Sequence, residues 1–107
     1  IGPLASRAHL SRVTRYFDVA AEEGLVAETG GSRPECPGLF VRPTVYAAPP
    51  LSSRLVREEI FGPVAVVIPF EDEDDAVRIA NDTRYGLSSG VCTRVLARAH
   101  RMIAQIR

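Results

Sequence analysis

The chain has 107 residues, 46% hydrophobic and 24% charged, which suits one ordinary globular domain with a modest core and indicates neither a disordered tail nor a fibre. Thirteen basic and thirteen acidic residues cancel and are interspersed, so no electrostatic case exists for nucleic acid or an anionic membrane surface as partner. No apolar run approaches the roughly 18 residues of a bilayer span, and the first residues do not read as a signal peptide, so a cytoplasmic setting is expected.

Ser6 is placed to cap a helix whose apolar positions Leu10, Val13, Phe17, Ala20 and Ala21 recur at helical spacing, with Gly24 as its stop. Arg7, Arg12, Arg15, Asp18 and Glu22 fall on the opposite face, giving an amphipathic helix that would cover a sheet. His9 reads as a surface or capping residue, since no ligand partner recurs at metal spacing. Leu25 to Thr29 is a short strand pattern closed by a Gly30-Gly31 turn. No helix pattern starts directly after that turn, so it does not read as a phosphate cradle. A proline-containing loop over 32–38 leads to a second strand pattern, Leu39 to Val41 and Thr44 to Tyr46, which Pro43 assigns to an edge or a bend.

A loop over 47–53 ends in Ser52 and Ser53, either of which suits the cap of a short helical turn through Leu55 and Val56 into Glu58. Gly62-Pro63 then breaks any helix, and Val64 to Ile68 is a continuous, mostly β-branched run, the pattern of a strand buried on both faces. Glu58, Glu59 and Phe61 therefore lie at a loop-to-strand junction. Ligands of open α/β sheets gather at strand ends, and a carboxylate held there can accept from both hydroxyls of a sugar diol. The competing reading is a solvated acidic pair beside a core phenylalanine.

Glu71 to Asp75 lacks the central glycine and closing glutamate of a calcium loop. It reads as the acidic first turn of a helix carrying Ala76, Val77, Ile79 and Ala80. Asn81 to Gly86 is a turn, and Leu87 to Thr93 a last strand in which Cys92 packs as a small hydrophobe. Thr93 is the expected cap of a final helix with Leu96, Ala99, Ile103 and Ile106 on one stripe. Arg94, Arg98, Arg101 and Gln105 form its solvated face, with His100 exposed among them. Cys36 and Cys92 stand far apart in sequence, with no sign of a disulfide framework, a metal site or an activating base. The alternation of elements predicts an α/β fold with helical crossovers.

Three strings carry a resemblance: EEIFGPV at 58–64, GLFVRPTV at 38–45 and IANDTRYGLSSGVCTR at 79–94. In this order and spacing the chain resembles the NAD(P)-dependent aldehyde dehydrogenase superfamily across nearly all its length. The resemblance implies part of that family's catalytic domain, with a mostly parallel, Rossmann-like sheet truncated at both ends. The nucleophilic cysteine, general-base glutamate, oxyanion-binding asparagine and glycine-containing cofactor turn would lie upstream. It implies that Glu59 binds the nicotinamide-ribose hydroxyls and that Phe61 lies beside the nicotinamide, with NAD or NADP as cofactor and no catalytic or metal-binding residue in these 107. The intact parent is expected to be a homo-oligomer that oxidises an aldehyde through a cysteine thiohemiacetal, with the remainder of the catalytic and cofactor-binding domains as partners of this piece. The alternative implied is a non-catalytic relative that keeps the scaffold. Cys92 stands where relatives usually carry an aromatic, and Ser52 and Ser53 where they often carry an acidic residue and a methionine. GPLASRAHL and ARAHRMIAQI are similar to members acting on hydroxymuconic semialdehydes.

Overall fold

A computed structural model describes all residues from Ile1 to Arg107. The chain divides into two units, Ile1–Ile68 and Pro69–Arg107, and each is taken by itself.

The first unit holds α1 (Arg7–Glu22), β1 (Thr44–Ala47), α2 (Arg54–Arg57) and β2 (Val64–Val67). The Ser6 hydroxyl accepts from the His9 amide at 3.1 Å, so the expected cap starts α1. Gly24 ends it at φ 72°, its amide donating to the Ala21 carbonyl and that of Leu25 to Ala20, a paired closure that satisfies two orphan carbonyls. Leu10, Val13, Val19 and Ala20 of α1 form the core with Val41, Tyr46, Leu55 and Ile60. Ala21, expected on the apolar stripe, is exposed, and Val19 takes its place in the core.

β1 and β2 pair in parallel, in register from Thr44 opposite Val64 to Ala47 opposite Val67, as expected of an α/β chain. The two flanking strand patterns do not form strands. Of the 25–29 stretch only Thr29 makes an isolated antiparallel bridge, to Val45, and Leu39 to Val41 forms no strand, its backbone contact being the Leu4 amide donating to the Leu39 carbonyl at 2.7 Å. The physical reason is a tight corner: Gly30 and Gly31 both have positive φ, and a Cβ on Gly30 would lie 2.3 Å from the Pro43 carbonyl oxygen. β2 also departs from expectation. Val64 and Val66 pack toward the core, but Ala65 and Val67 are exposed, so within this chain the strand is covered on one face only.

The second unit comprises α3 (Glu73–Asn81) and α4 (Leu96–Gln105). Asp72 caps α3 by accepting from the Asp75 amide at 2.9 Å, and Glu73, Asp74 and Asp75 fill its first turn as the charge pattern required. Asp75 also accepts from Arg78 and from the Glu71 amide, which together hold its carboxyl below the usual range. The predicted strand from Leu87 to Thr93 is absent. A strand needs a neighbour for its backbone groups, and this segment has none; Leu87 and Cys92 are exposed instead of packed. Thr93 does not cap α4: its hydroxyl accepts from Val95 at 3.2 Å, and Val95 stands at the cap position without a side-chain bond. Ile106 lies beyond the helix. Arg98 and Arg101 are also more than a solvated face, because both pair with Glu73 on α3, Arg101 at 2.9 Å. No helix is long and apolar enough to cross a membrane.

Candidate functional site

The motif at 58–62 is set by contacts that begin at the far end of α1. Glu23, the C-cap of that helix, accepts from the Ser53 hydroxyl at 2.5 Å and from the Arg54 amide at 3.0 Å, while Ser53 accepts in turn from Leu55. This fixes the start of α2, with Ser53 rather than Ser52 as its cap. Arg54 and Glu58 then face each other across one turn. The guanidinium donates to both Glu58 oxygens, at 2.9 and 3.1 Å, and the Tyr16 hydroxyl adds a third bond at 2.9 Å. The Glu58 carboxylate raises the Arg54 pKa further above its already high ordinary value, first by hydrogen bonding and then by charge.

From Glu58 onward the chain alternates. Glu58 is half-buried and tied to α1 and α2, Glu59 is exposed, Ile60 is buried in the core, and Phe61 is 64% exposed. Phe61 adopts φ 57°, the left-handed region that a bulky side chain rarely occupies. Gly62 does not supply that turn. It supplies room, since a Cβ there would lie 2.8 Å from the Val13 Cγ2. Three side chains of α1 thus approach this loop: Val13 against Gly62, His9 donating from Nε2 to the Phe61 carbonyl at 2.5 Å, and Arg12 with its guanidinium carbon 5.9 Å from the centre of the Phe61 ring. A carbonyl oxygen only accepts, so Nε2 of His9 carries a proton.

The two residues singled out by sequence, Glu59 and Phe61, are both presented outward by this loop. The core-phenylalanine alternative does not hold, because the aromatic that the loop displays is solvent-facing and Ile60 fills the core position. Cys36 and Cys92 are exposed, one in each unit, and no three His, Cys, Asp or Glu side chains gather as a metal site. The roles of His9, Arg12, Tyr16 and Arg54 went unread in the sequence. A signal was present: His9, Arg12 and Tyr16 follow one another at three and four residues along α1, the spacing of one helical face.

The family model described as the aldehyde dehydrogenase family matches residues 1–107, the whole chain. The chain belongs to the aldehyde dehydrogenase family. A betaine aldehyde dehydrogenase of Mesorhizobium japonicum is 43% identical over 111 residues, covering 100% of this chain and 23% of the relative. A 2-aminomuconic 6-semialdehyde dehydrogenase of a Pseudomonas species is 44% identical over 112 residues, with 100% and 23% covered. Among solved structures, a Mycobacterium tuberculosis aldehyde dehydrogenase complexed with NAD+ superimposes with a TM-score of 0.94 at 42% identity, covering 100% of this chain and 23% of that one. The aldehyde dehydrogenase fold is therefore shared in detail, and the chain spans less than a quarter of the length of the relatives it matches.

Proposed function

We propose that this chain is a segment of the catalytic domain of an NAD(P)-dependent aldehyde dehydrogenase, and that its contribution is to hold the nicotinamide end of the cofactor. The observation that carries this reading is the alternation at 58–61, in which Glu58 is half-buried and Ile60 buried while Glu59 and Phe61 are exposed. An outward carboxylate fits a ribose diol, because it accepts from two neighbouring hydroxyls, and an outward aromatic offers a flat apolar face to a heterocycle. When bound, the cofactor would supply the hydride acceptor. Glu59 would fix the ribose and Phe61 would limit where the ring can lie; neither moves a proton. The thiol chemistry that carries the aldehyde belongs to residues outside these 107. The substrate class proposed is an aldehyde.

The test uses the complete protein that carries this segment. Glu59→Gln keeps the shape but replaces two charge-assisted bonds by at most one neutral acceptor. Hydrogen bonds to charged groups contribute about 1.5 to 3 kcal/mol, so a loss of roughly tenfold to a hundredfold is expected in single-turnover hydride transfer, with a smaller loss in cofactor affinity. Glu58→Gln should instead lower stability, since its partners are Arg54 and Tyr16. An unchanged hydride rate in Glu59→Gln, or a larger kinetic loss in Glu58→Gln, would assign the cofactor contact to the wrong carboxylate.

A further inference from the structure

The least comfortable residue of the motif is the one with the most to position. Phe61 sits at φ 57° without being glycine, a backbone state that costs on the order of 1 kcal/mol or more and persists only where neighbours over-determine it. On its N-terminal side Ile60 is anchored in the core; on its C-terminal side Gly62 abuts Val13. Those anchors fix the ends of the turn but not the peptide plane between Phe61 and Gly62. That plane has its own contact, the bond from His9 Nε2 to the Phe61 carbonyl at 2.5 Å, and the same imidazole stands beside the Phe61 ring with centroids 6.0 Å apart and planes inclined at 54°. Phe61 is thus gripped at both its backbone and its ring by one side chain, 52 positions earlier in the chain.

We propose that His9 is a positioning residue for Phe61: it holds the carbonyl and the ring in the outward, left-handed conformation, and so sets the place at which the aromatic face meets the nicotinamide. The inference rests on the reading of Phe61 given above. Its physical content is preorganisation. Without the imidazole the peptide plane turns and Phe61 relaxes toward the extended region, so its ring samples several placements, and the hydride step must wait for the productive one. Arg12 adds a cationic neighbour over the same ring, but it touches the ring alone and does not fix the backbone.

The experiment measures single-turnover hydride transfer, cofactor Kd and thermal midpoint in the complete protein for His9→Ala, His9→Gln, Phe61→Ala and the double variant His9→Ala with Phe61→Ala. A lost hydrogen bond of ordinary strength corresponds to about a fivefold to tenfold slowing of hydride transfer in His9→Ala, with cofactor Kd changed less than about twofold. His9→Gln, which can still present an N–H, should recover part of that rate. The double variant should be no slower than Phe61→Ala, because positioning a ring that is absent has no effect on rate. A normal hydride rate in His9→Ala while Phe61→Ala is slow overturns the proposal and leaves the Phe61 reading standing; normal rates in both remove the Phe61 reading and this inference with it. Independent, additive losses in the double variant, or a His9→Ala effect confined to the thermal midpoint, reduce His9 to a structural contact and also overturn it. If His9→Ala does not fold, a His9→Gln variant with lowered hydride rate, unaltered midpoint and no further loss over Phe61→Ala supports the proposal, and one indistinguishable from the native protein in a Phe61-sensitive enzyme refutes the need for the imidazole itself.

Discussion

Gly62→Ala adds one methyl group at the point where the motif meets α1, and the structure sets its effect. The new Cβ would lie 2.8 Å from the Val13 Cγ2 and 3.0 Å from Cγ1, against a preferred carbon separation of about 3.5 to 4.0 Å. Val13 is fully buried, and both offending atoms are its own methyls, so no rotation about its single stiff torsion clears the pair. Either α1 or the loop must retreat by some tenths of an ångström, and overpacking of this kind costs about 1 to 3 kcal/mol. The retreat also carries Phe61 and Glu59, and because a misplacement of about 1 Å can slow chemistry a hundredfold, a loss of roughly tenfold in hydride transfer is expected. Denaturant unfolding and single-turnover kinetics of the complete protein would be compared for Gly62→Ala, Val13→Ala and the double variant. Val13→Ala removes the methyls in the way, so the double variant should be little worse than Val13→Ala alone, a coupling of about 1 to 2 kcal/mol. Strictly additive losses, or a Gly62→Ala change within about 0.5 kcal/mol, would refute the argument that this glycine is there for room.

The 107-residue chain alone should reduce no NAD or NADP with any aldehyde of a panel, and it should self-associate in sedimentation, since Val26, Val67, Phe70, Leu87, Leu96 and Ile103 are all exposed. Thiol-dependent turnover through Cys36 or Cys92, or a monomer with a sharp melt, counts against these two statements respectively. Glu73 is, with Asp75, a pH-sensitive group of the second unit: hydrogen bonds from Arg98 and then Arg101 hold its carboxyl below the ordinary 4.5. Because the folded value is the lower one, its stabilisation is complete above that ordinary value and is lost as pH falls through the folded value. The stability gap between the native protein and Glu73→Gln should therefore close in acid; a gap that widens there would reverse the assignment.

The sequence was most legible where the signal is local. Ser6, Gly24 and the acidic turn at 72–75 act on their own helix within a few residues, and each is found in the role its chemistry dictates. Strands were less legible, because a strand is defined by what lies beside it. The run at 64–67 finds one partner and one covered face, and 87–93 finds neither. One feature of the motif has no local signal: the left-handed residue is Phe61, and Gly62 answers a steric demand made by Val13, a residue 49 positions away that no local pattern connects to it. The anchoring of Glu58 by Tyr16 was hidden for the same reason.

That separation has a consequence while the chain is being made. The His9 to Phe61 bond spans 52 positions, so at roughly 5 to 20 residues per second α1 leaves the ribosome about 3 to 10 seconds before the loop it shapes. For that interval its apolar stripe, Leu10, Val13 and Ala20, has neither Ile60 nor Tyr46 to cover it. The nascent helix is then a sticky amphipathic surface on a tether, and the time for which it must be shielded is set by translation speed. Slow codons placed between 23 and 60 would lengthen that exposure, whereas the same codons after 68 would give the first unit time to close.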